Sequence, residues 1–144
     1  MYGSNSSPFG SRGGSVANLY SRVGMETDVS TASPHRLVAL LFEGVFSAMA
    51  QARGAIQTGD KATHSRALSR AVRILDEGLK AALDLEAGPL AKDLRDLYAW
   101  LCLRLTYANL HGDIGAIEEC QRVLAPVRDA WIAIGERQNQ PTAA

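Results

Sequence analysis

The stretch PLAKDLRDLYAWLCLRLTYANL, residues 89–110, decides the fold because it is apolar on two sides of a helix. At about 100° per residue, one set of its apolar side chains follows the i, i+3, i+4, i+7 spacing of a core-facing helix. This predicted core stripe consists of Leu90, Leu94, Leu97, Leu101, Leu105 and Ala108. A second set with helical spacing lies on nearly the opposite side; we call it the outer stripe, and it consists of Trp100, Leu103, Tyr107 and Leu110. The helix therefore needs cover on two faces.

Two kinds of cover would suit the outer stripe. A neighbouring helix of the same chain is the ordinary cover for a central helix of a bundle. An outside partner is the other, because four large apolar side chains leave roughly 500 Å² open, near the upper limit for a soluble monomer without a function for that surface. The sequence leaves both alternatives open.

Length and charge exclude several classes of protein. The chain has 144 residues, the size of one domain with its own core. It has 15 basic and 15 acidic residues and no cluster of Lys or Arg interleaved with aromatics, so we expect neither nucleic-acid binding nor a polybasic membrane patch. It shows no signal peptide and no long apolar run, which predicts a cytoplasmic protein without membrane insertion. Only two cysteines are present, Cys102 and Cys120, and we expect them to be small buried thiols, as is usual in a reducing compartment.

Local start and stop signals divide the chain into helices. Ser33 before Pro34 predicts a helix start, and this first helix runs to about Thr58. Paired Gly-Asp residues at 59–60 and 112–113 each supply a helix stop and a new N-cap. The second helix ends near Leu85 and carries the stripe His64, Leu68, Ala71, Leu75 and Leu79. The fourth carries the stripe Ile117, Cys120, Leu124, Val127, Trp131 and Ile134. Short turns between four helices predict an all-α, antiparallel up-and-down four-helix bundle.

The two ends of the chain differ from the bundle. Residues 1–14 are rich in Gly and Ser and are predicted to be a disordered tail, whereas residues 15–137 form a single helical domain and residues 138–144 a frayed polar end. Within residues 15–29 a short amphipathic pattern predicts a marginal N-terminal helix that needs a surface to lie on. Its apolar side is formed by Val16, Leu19, Tyr20 and Val23.

No pattern for catalysis, metal binding or cofactor binding is present. The chain contains no Glu-x-x-His pair, phosphate-binding loop, nucleophile elbow or Cys-x-x-Cys motif. Its three histidines, His35, His64 and His111, are spread over a helix start, a helix interior and a helix end. We therefore predict a binding protein without cofactor or metal, and not an enzyme.

Several runs of the sequence, taken in order, resemble one family. These are YSRVGMETDVSTASPHRLVALLFEG, GLKAALDLEAG, LAKDLRDLYAWLCLRL, YANL and the late DAW. Their order and spacing are similar to those of the flagellar secretion chaperone FliS, over essentially the whole chain after about Leu19. The chain departs from the family at Phe42-Glu43, at Pro89, at Trp100 and in its longer N-terminal tail. None of these departures changes the bundle pattern.

The resemblance implies a cytoplasmic bundle with a short N-terminal helix that binds the C-terminal segment of flagellin. Such a protein prevents premature flagellin polymerisation and presents flagellin to the flagellar type III export gate. Our hypothesis for the client groove combines the outer stripe with apolar residues of the second helix, giving Val72, Leu79, Leu83, Trp100, Leu103, Tyr107 and Leu110.

The N-terminal segment has two interpretations. Tyr20 matches the N-terminal tyrosine of the family, so the segment 15–29 is either a cap that the client displaces or a permanent part of the bundle. A further alternative to the chaperone is a helical-bundle adaptor that buries the outer stripe in a weak homodimer.

Overall fold

The computed structural model describes residues 32–139, with side chains to residue 137. In this range the chain forms four long helices and no strand, which confirms the predicted all-α class. The helices are α1, Pro34–Thr58; α2, Lys61–Arg73; α3, Pro89–His111; and α4, Ile114–Asn139. A π-helix, Ile74–Lys80, continues α2 without a break, and a 3-10 turn, Leu85–Ala87, precedes α3. The predicted tail 1–14 and capping helix 15–29 lie outside the described residues.

The helices pack as an antiparallel ring in which each helix has two neighbours. α2 and α4 each contact both α1 and α3, so α1 and α3 lie diagonally opposite each other. At one end of the bundle, Trp131 Nε1 of α4 donates to the carbonyl oxygen of His35 at the start of α1, at 3.0 Å. At the other end, His64 Nε2 near the start of α2 donates to the carbonyl oxygen of Asn109 near the end of α3, at 3.0 Å. These contacts fix the up-and-down arrangement that the short turns predict.

The helix boundaries follow from local capping. Ser33 accepts a hydrogen bond from the amide three residues ahead at 3.1 Å, and Asp60 does the same for α2 at 3.1 Å. Asp113 caps α4 in the same way at 3.2 Å. Gly59 and Gly112 have φ values of 76° and 61°, in the left-handed region that favours glycine. The predicted start at Ser33 and the stops at the two Gly-Asp pairs are therefore confirmed. The prediction that the second helix ends near Leu85 is wrong, because its π-helical continuation ends at Lys80 and Leu85 begins a separate 3-10 turn.

The core is a single apolar cluster between the four helices. Its largest fully buried side chains are Leu41, Phe42, Val45, Met49, Leu68, Ile74, Leu75, Leu101, Leu105, Ile117 and Leu124. The prediction that Leu90 belongs to this core is wrong, because Leu90 lies in the first turn of α3 at the end of the bundle and is 70% exposed. Tyr98, which the sequence did not assign to the core, is buried there instead.

Two close contacts join α1 to its neighbours at the end where α1 begins. The His35 ring stacks on Trp131, with centroids 4.5 Å apart and planes within 7°. A side chain at Gly135 would overlap the His35 ring, so the glycine permits this stack. In the π-helix, a Cβ at Gly78 would lie 3.0 Å from Cδ2 of Leu41, so this glycine allows α1 to approach closely. The sequence predicted an ordinary helix here and did not foresee the π-helix.

Candidate partner-binding surface

The outer stripe faces away from the core on α3. The exposed fractions are 39% for Trp100, 72% for Leu103, 43% for Tyr107 and 78% for Leu110. Together they leave roughly 450 Å² of apolar surface open, at the level where the largest patch of a monomer is often functional. Within residues 32–139, therefore, no other helix of the bundle covers the outer stripe.

Arg104 and His111 hold the Tyr107 ring within the outer stripe. Arg104 Nε donates to Glu119 Oε1 of α4 at 2.6 Å, and this hydrogen bond raises the pKa of the Arg104 guanidinium. The Arg104 Cζ atom lies 4.8 Å from the centroid of the Tyr107 ring, a cation–π contact. The ring also contacts His111, with centroids 4.3 Å apart and planes tilted by 43°. Tyr107 is thus held in a defined orientation although nearly half of it is exposed.

A shallow groove of about 230 Å³ runs between α2 and α3 beside the outer stripe. Its lining is formed by Leu68, Ser69, Val72, Leu105, Thr106 and Asn109. Ser65 Oγ donates to Asn109 Oδ1 at 3.1 Å, which ties the two helices together at the end of the groove. An apolar stripe with a mixed groove alongside is a surface that suits an amphipathic helix.

The three residues of the second helical segment that we assigned to the client surface occupy different places. Val72 is half-buried and lines the groove. Leu83 is half-buried and packs against the core. Leu79 is only 2% exposed, so its assignment to an open surface is wrong and its place in the core stripe of that helix is confirmed. The proposed cap residues Val16, Leu19, Tyr20 and Val23 lie outside the described residues.

The sequence reasoning missed the polar part of this surface. Arg104, Thr106 and Asn109 lie between or beside the apolar residues. The partner of Arg104 on α4 and those of Asn109 on α2 depend on how the helices align, whereas the Thr106 hydroxyl donates to the Cys102 carbonyl oxygen of α3 itself. The sequence contained one signal for the contacts of the Tyr107 ring. Arg104 and His111 lie three and four residues from Tyr107, and side chains at these spacings are neighbours on a helix.

Three further findings within the described residues concern metal clusters, cysteine thiols and membrane-spanning helices. Between residues 32 and 139, no group of three or more His, Cys, Asp or Glu side chains could hold a metal ion. Burial raises the pKa of Cys102 to about 11 and that of Cys120 to about 12, so both remain thiols rather than reactive thiolates near neutral pH. No helix in the described range combines the length and apolar character that a membrane span requires.

The comparison with known families agrees with the architecture. The model of the family described as "Flagellar protein FliS" matches residues 16–138 of the chain. The chain belongs to the FliS family. The resemblance found in the sequence is therefore confirmed, from the N-terminal segment to the end of α4.

Several members of the FliS family are similar to this chain over most of their length. The flagellar secretion chaperone FliS of Salmonella typhimurium is 42% identical over 119 residues, which cover 82% of this chain and 88% of the relative. FliS of Escherichia coli is 36% identical over 78% of this chain and 83% of the relative. The chaperone FliSB of Pseudomonas aeruginosa is 37% identical over 80% of this chain and 91% of the relative. A flagellar secretion chaperone is a binding protein, which confirms the prediction that the chain is not an enzyme.

Proposed function

We propose that this FliS protein is a cytoplasmic export chaperone for flagellin. It binds the C-terminal segment of flagellin, which is disordered when free, and thereby prevents premature polymerisation. It then delivers the bound flagellin to the export gate of the flagellar type III apparatus. The observation that carries the proposal is the open outer stripe on α3, joined to the family membership of the chain.

The open area is large enough to support binding coupled to folding. At about 25 cal/mol per Å², roughly 450 Å² corresponds to about 11 kcal/mol before any cost is subtracted. Ordering a disordered segment costs about 2–5 kcal/mol or more, and association itself costs at least about 4 kcal/mol. The client buries a similar apolar area of its own against the outer stripe, which roughly doubles this gain. The gain therefore exceeds both costs when the client covers most of the outer stripe and the adjoining groove. A client helix that follows the stripe from Trp100 to Leu110 spans about 15 Å, or close to three turns.

A homodimer that meets through the outer stripe alone buries less area than a client that also fills the groove. Two copies meeting through the outer stripe alone would bury roughly 900 Å² in total, below the roughly 1,200 Å² of stable specific interfaces. The adaptor alternative therefore predicts weak self-association, whereas a client that also fills the groove gains additional contact area.

The N-terminal cap is part of the proposal. Residues Val16, Leu19, Tyr20 and Val23 cover the outer stripe loosely when no client is bound, and the client displaces them. Ala32 leads into the start of α1, at the end of the antiparallel bundle where α3 also begins. From Ala32 to Tyr20 an extended chain reaches about 40 Å, and Leu103 lies only about 20 Å along α3 from that end. The connecting chain is therefore long enough to bring Tyr20 to the stripe.

Calorimetric titration with a peptide of about 40 residues from the C-terminal end of the host flagellin tests the proposal. We expect saturable one-to-one binding with a large negative heat-capacity change, because apolar surface is buried as the peptide folds. The absence of binding at micromolar concentrations, with the protein folded, would refute the chaperone proposal. Light scattering at several concentrations would then decide for or against the homodimer.

Tyr20→Ala tests the cap separately. Displacement of a weak cap predicts higher peptide affinity for the variant, by no more than roughly 30-fold if the cap contributes about 1–2 kcal/mol. Unchanged affinity together with a lower melting temperature would instead assign Tyr20 to permanent packing.

A further inference from the structure

The outer face of α2 carries a row of arginines. Between Lys61 and Arg73 the helix contains four basic residues and no Asp or Glu. Arg66, Arg70 and Arg73 are spaced four and three residues apart, which places them on one face. Arg66 and Arg73 are exposed and Arg70 is half-buried. We call these three residues the arginine face.

Within residues 60–80, five Lys and Arg residues stand against three Asp and Glu residues. Asp60 caps the start of α2 and accepts from Thr63, from its amide at 3.1 Å and its hydroxyl at 2.6 Å. Arg66 Nη2 donates to the same hydroxyl at 3.2 Å, and the Thr63 hydrogen bonds, together with the charge of Arg66, lower the pKa of Asp60. Beyond the helix, Asp76 pairs with Lys80 at 3.2 Å. Glu77, one turn after Arg73, is the remaining carboxylate of this stretch. The stretch that carries the arginine face therefore has a local excess of basic residues, on a chain whose formal net charge is zero.

The arginine face is continuous with the proposed client surface. Ser65 and Ser69 line the same surface depression as the three arginines. Ser69 also lines the groove between α2 and α3, together with Thr106 of α3. Since Thr106 lies one turn from both Leu103 and Leu110, an unbroken surface leads from the arginines across the groove to the outer stripe.

The opposite edge of the outer stripe has a different charge. There Arg104 is paired with Glu119 at 2.6 Å, so its charge is already balanced within the protein. The apolar surface thus has one basic edge, on α2, and one neutralised edge, on α4. A partner that matches this arrangement carries negative charge on one side only.

We propose that the segment bound on the outer stripe is an amphipathic helix with an acidic flank that faces Arg66 and Arg73. The inference rests on the proposed function and adds the chemistry and orientation of the client. Packed helices lie about 8–10 Å apart, so a helix on Leu103 and Val72 has one flank within reach of long arginine side chains on α2. Arginine is suited to this contact because its guanidinium pairs with carboxylates through two parallel hydrogen bonds.

The test is a pair of charge reversals, Arg66→Glu with Arg73→Glu, titrated with the C-terminal flagellin peptide. At 50 mM NaCl we expect roughly tenfold weaker binding, because two attractive contacts become repulsive, and most of the loss should appear in the association rate. At 500 mM NaCl the difference should shrink to within about twofold, because salt screens exposed charges. The matched control, Arg122→Glu with Arg137→Glu, makes the same change in net charge on exposed residues of α4 and should leave the affinity unchanged.

The outcomes separate this inference from the proposed function. Failure of the wild-type protein to bind the peptide would refute both the acidic flank and the chaperone proposal. Binding by the wild type with equal affinity for the Arg66/Arg73 variant at low salt would overturn the acidic flank and leave the chaperone in place. An equal loss in the α4 control would also overturn it, since net charge alone would then explain the effect. If the reversed variant does not fold, Arg66→Gln with Arg73→Gln repeats the test, with an expected loss of about threefold at low salt.

A second peptide decides the orientation. Changing the acidic residues on one flank of the flagellin peptide to Lys should restore binding to the Arg66→Glu/Arg73→Glu variant and weaken binding to the wild type. Failure to restore binding would overturn the proposed pairing. Salt-sensitive binding of a short DNA duplex to the wild type, lost in the variant, would assign the arginine face to nucleic acid instead.

Discussion

Leu103 and Leu105 are two residues apart on α3 but lie on opposite sides of it, so the same change to Ala tests both faces of the helix. Leu105 is fully buried, and truncating a core leucine to Ala costs about 2–5 kcal/mol. We expect Leu105→Ala to lower the melting temperature by roughly 10–20 °C. Leu103 is 72% exposed and makes few contacts within the fold, so Leu103→Ala should change the free energy of unfolding by less than about 0.5 kcal/mol.

Peptide binding should respond in the reverse order. If the client covers the open part of Leu103, truncation to Ala removes roughly 100 Å² of apolar contact, worth about 2–3 kcal/mol. This corresponds to roughly 30- to 150-fold weaker binding of the flagellin peptide. Leu103→Asp should abolish measurable binding, because it also places a carboxylate in an apolar contact. Leu105 borders the groove between α2 and α3 but is 0% exposed, so it offers the client no open surface. Leu105→Ala, measured well below its melting temperature, should therefore retain most of its affinity.

Thermal unfolding and calorimetric titration of the two variants side by side complete this test. A melting temperature for Leu103→Ala as low as that of Leu105→Ala would show that the outer stripe is packed within the folded chain. Wild-type affinity in Leu103→Ala, with binding intact, would show that the client lies elsewhere. Either result would refute the reasoning from exposure to function.

An ion pair beside the outer stripe, a glycine contact and a buried phenol give further tests. Arg104→Met should weaken peptide binding roughly 3- to 10-fold but have no effect on binding by a protein that already carries Tyr107→Ala. If the losses in binding free energy of the two single variants instead add in the double variant, the Arg104 guanidinium does not act through the Tyr107 ring. Gly135→Ala should lower the free energy of unfolding by about 1–3 kcal/mol, because its methyl group would overlap the histidine stacked nearby. The matched change Gly54→Ala, whose methyl group would meet open space, should raise the free energy of unfolding by about 0.5–1 kcal/mol. Urea unfolding measures both variants, and a more stable Gly135→Ala protein would contradict the close approach of Gly135 to His35. Burial raises the pKa of Tyr98 from 10.0 to about 12, so its stabilising effect is complete below pH 10 and is lost as the pH rises through 12. Relative to Tyr98→Phe, the free energy of unfolding of the wild type should fall by about 1.4 kcal/mol between pH 8 and pH 11. If the urea midpoints of the two proteins changed equally with pH, this effect would be excluded.

The helix boundaries were the part of the fold that the sequence specified most directly. Capping depends on residues within one turn of each other, so Ser33 before α1 and the Gly-Asp pairs between helices could be interpreted without knowing the tertiary structure. Periodicity was similarly reliable in the middle of each helix. Leu68 of α2, Leu105 of α3 and Leu124 of α4 were all placed correctly in the core.

Errors arose where a side chain's environment depends on how the helices end or align. Leu90 has a core position on the helical wheel, but no helix faces it at the end of the bundle. Leu79 was assigned both to a core stripe and to the client surface, and its burial supports only the first. The pairing of Arg104 with Glu119 requires the relative register of α3 and α4, which no local pattern contains.

The exposure of the outer stripe follows from the number of helices rather than from the stripe itself. A helical wheel shows that Leu103 lies nine residues, or about 180°, from Leu94 on the core side of α3. In a ring of four helices, α3 contacts only α2 and α4, and these two neighbours flank its inward side. A residue directly opposite the core is then beyond the reach of both neighbours. Once four helices and short turns are predicted, no helix of the ring can cover Leu103. The choice between a covering helix of the bundle and an outside partner could therefore have been narrowed from the sequence. Whether the proposed cap at Tyr20 competes with the proposed client is the question that the Tyr20→Ala titration answers.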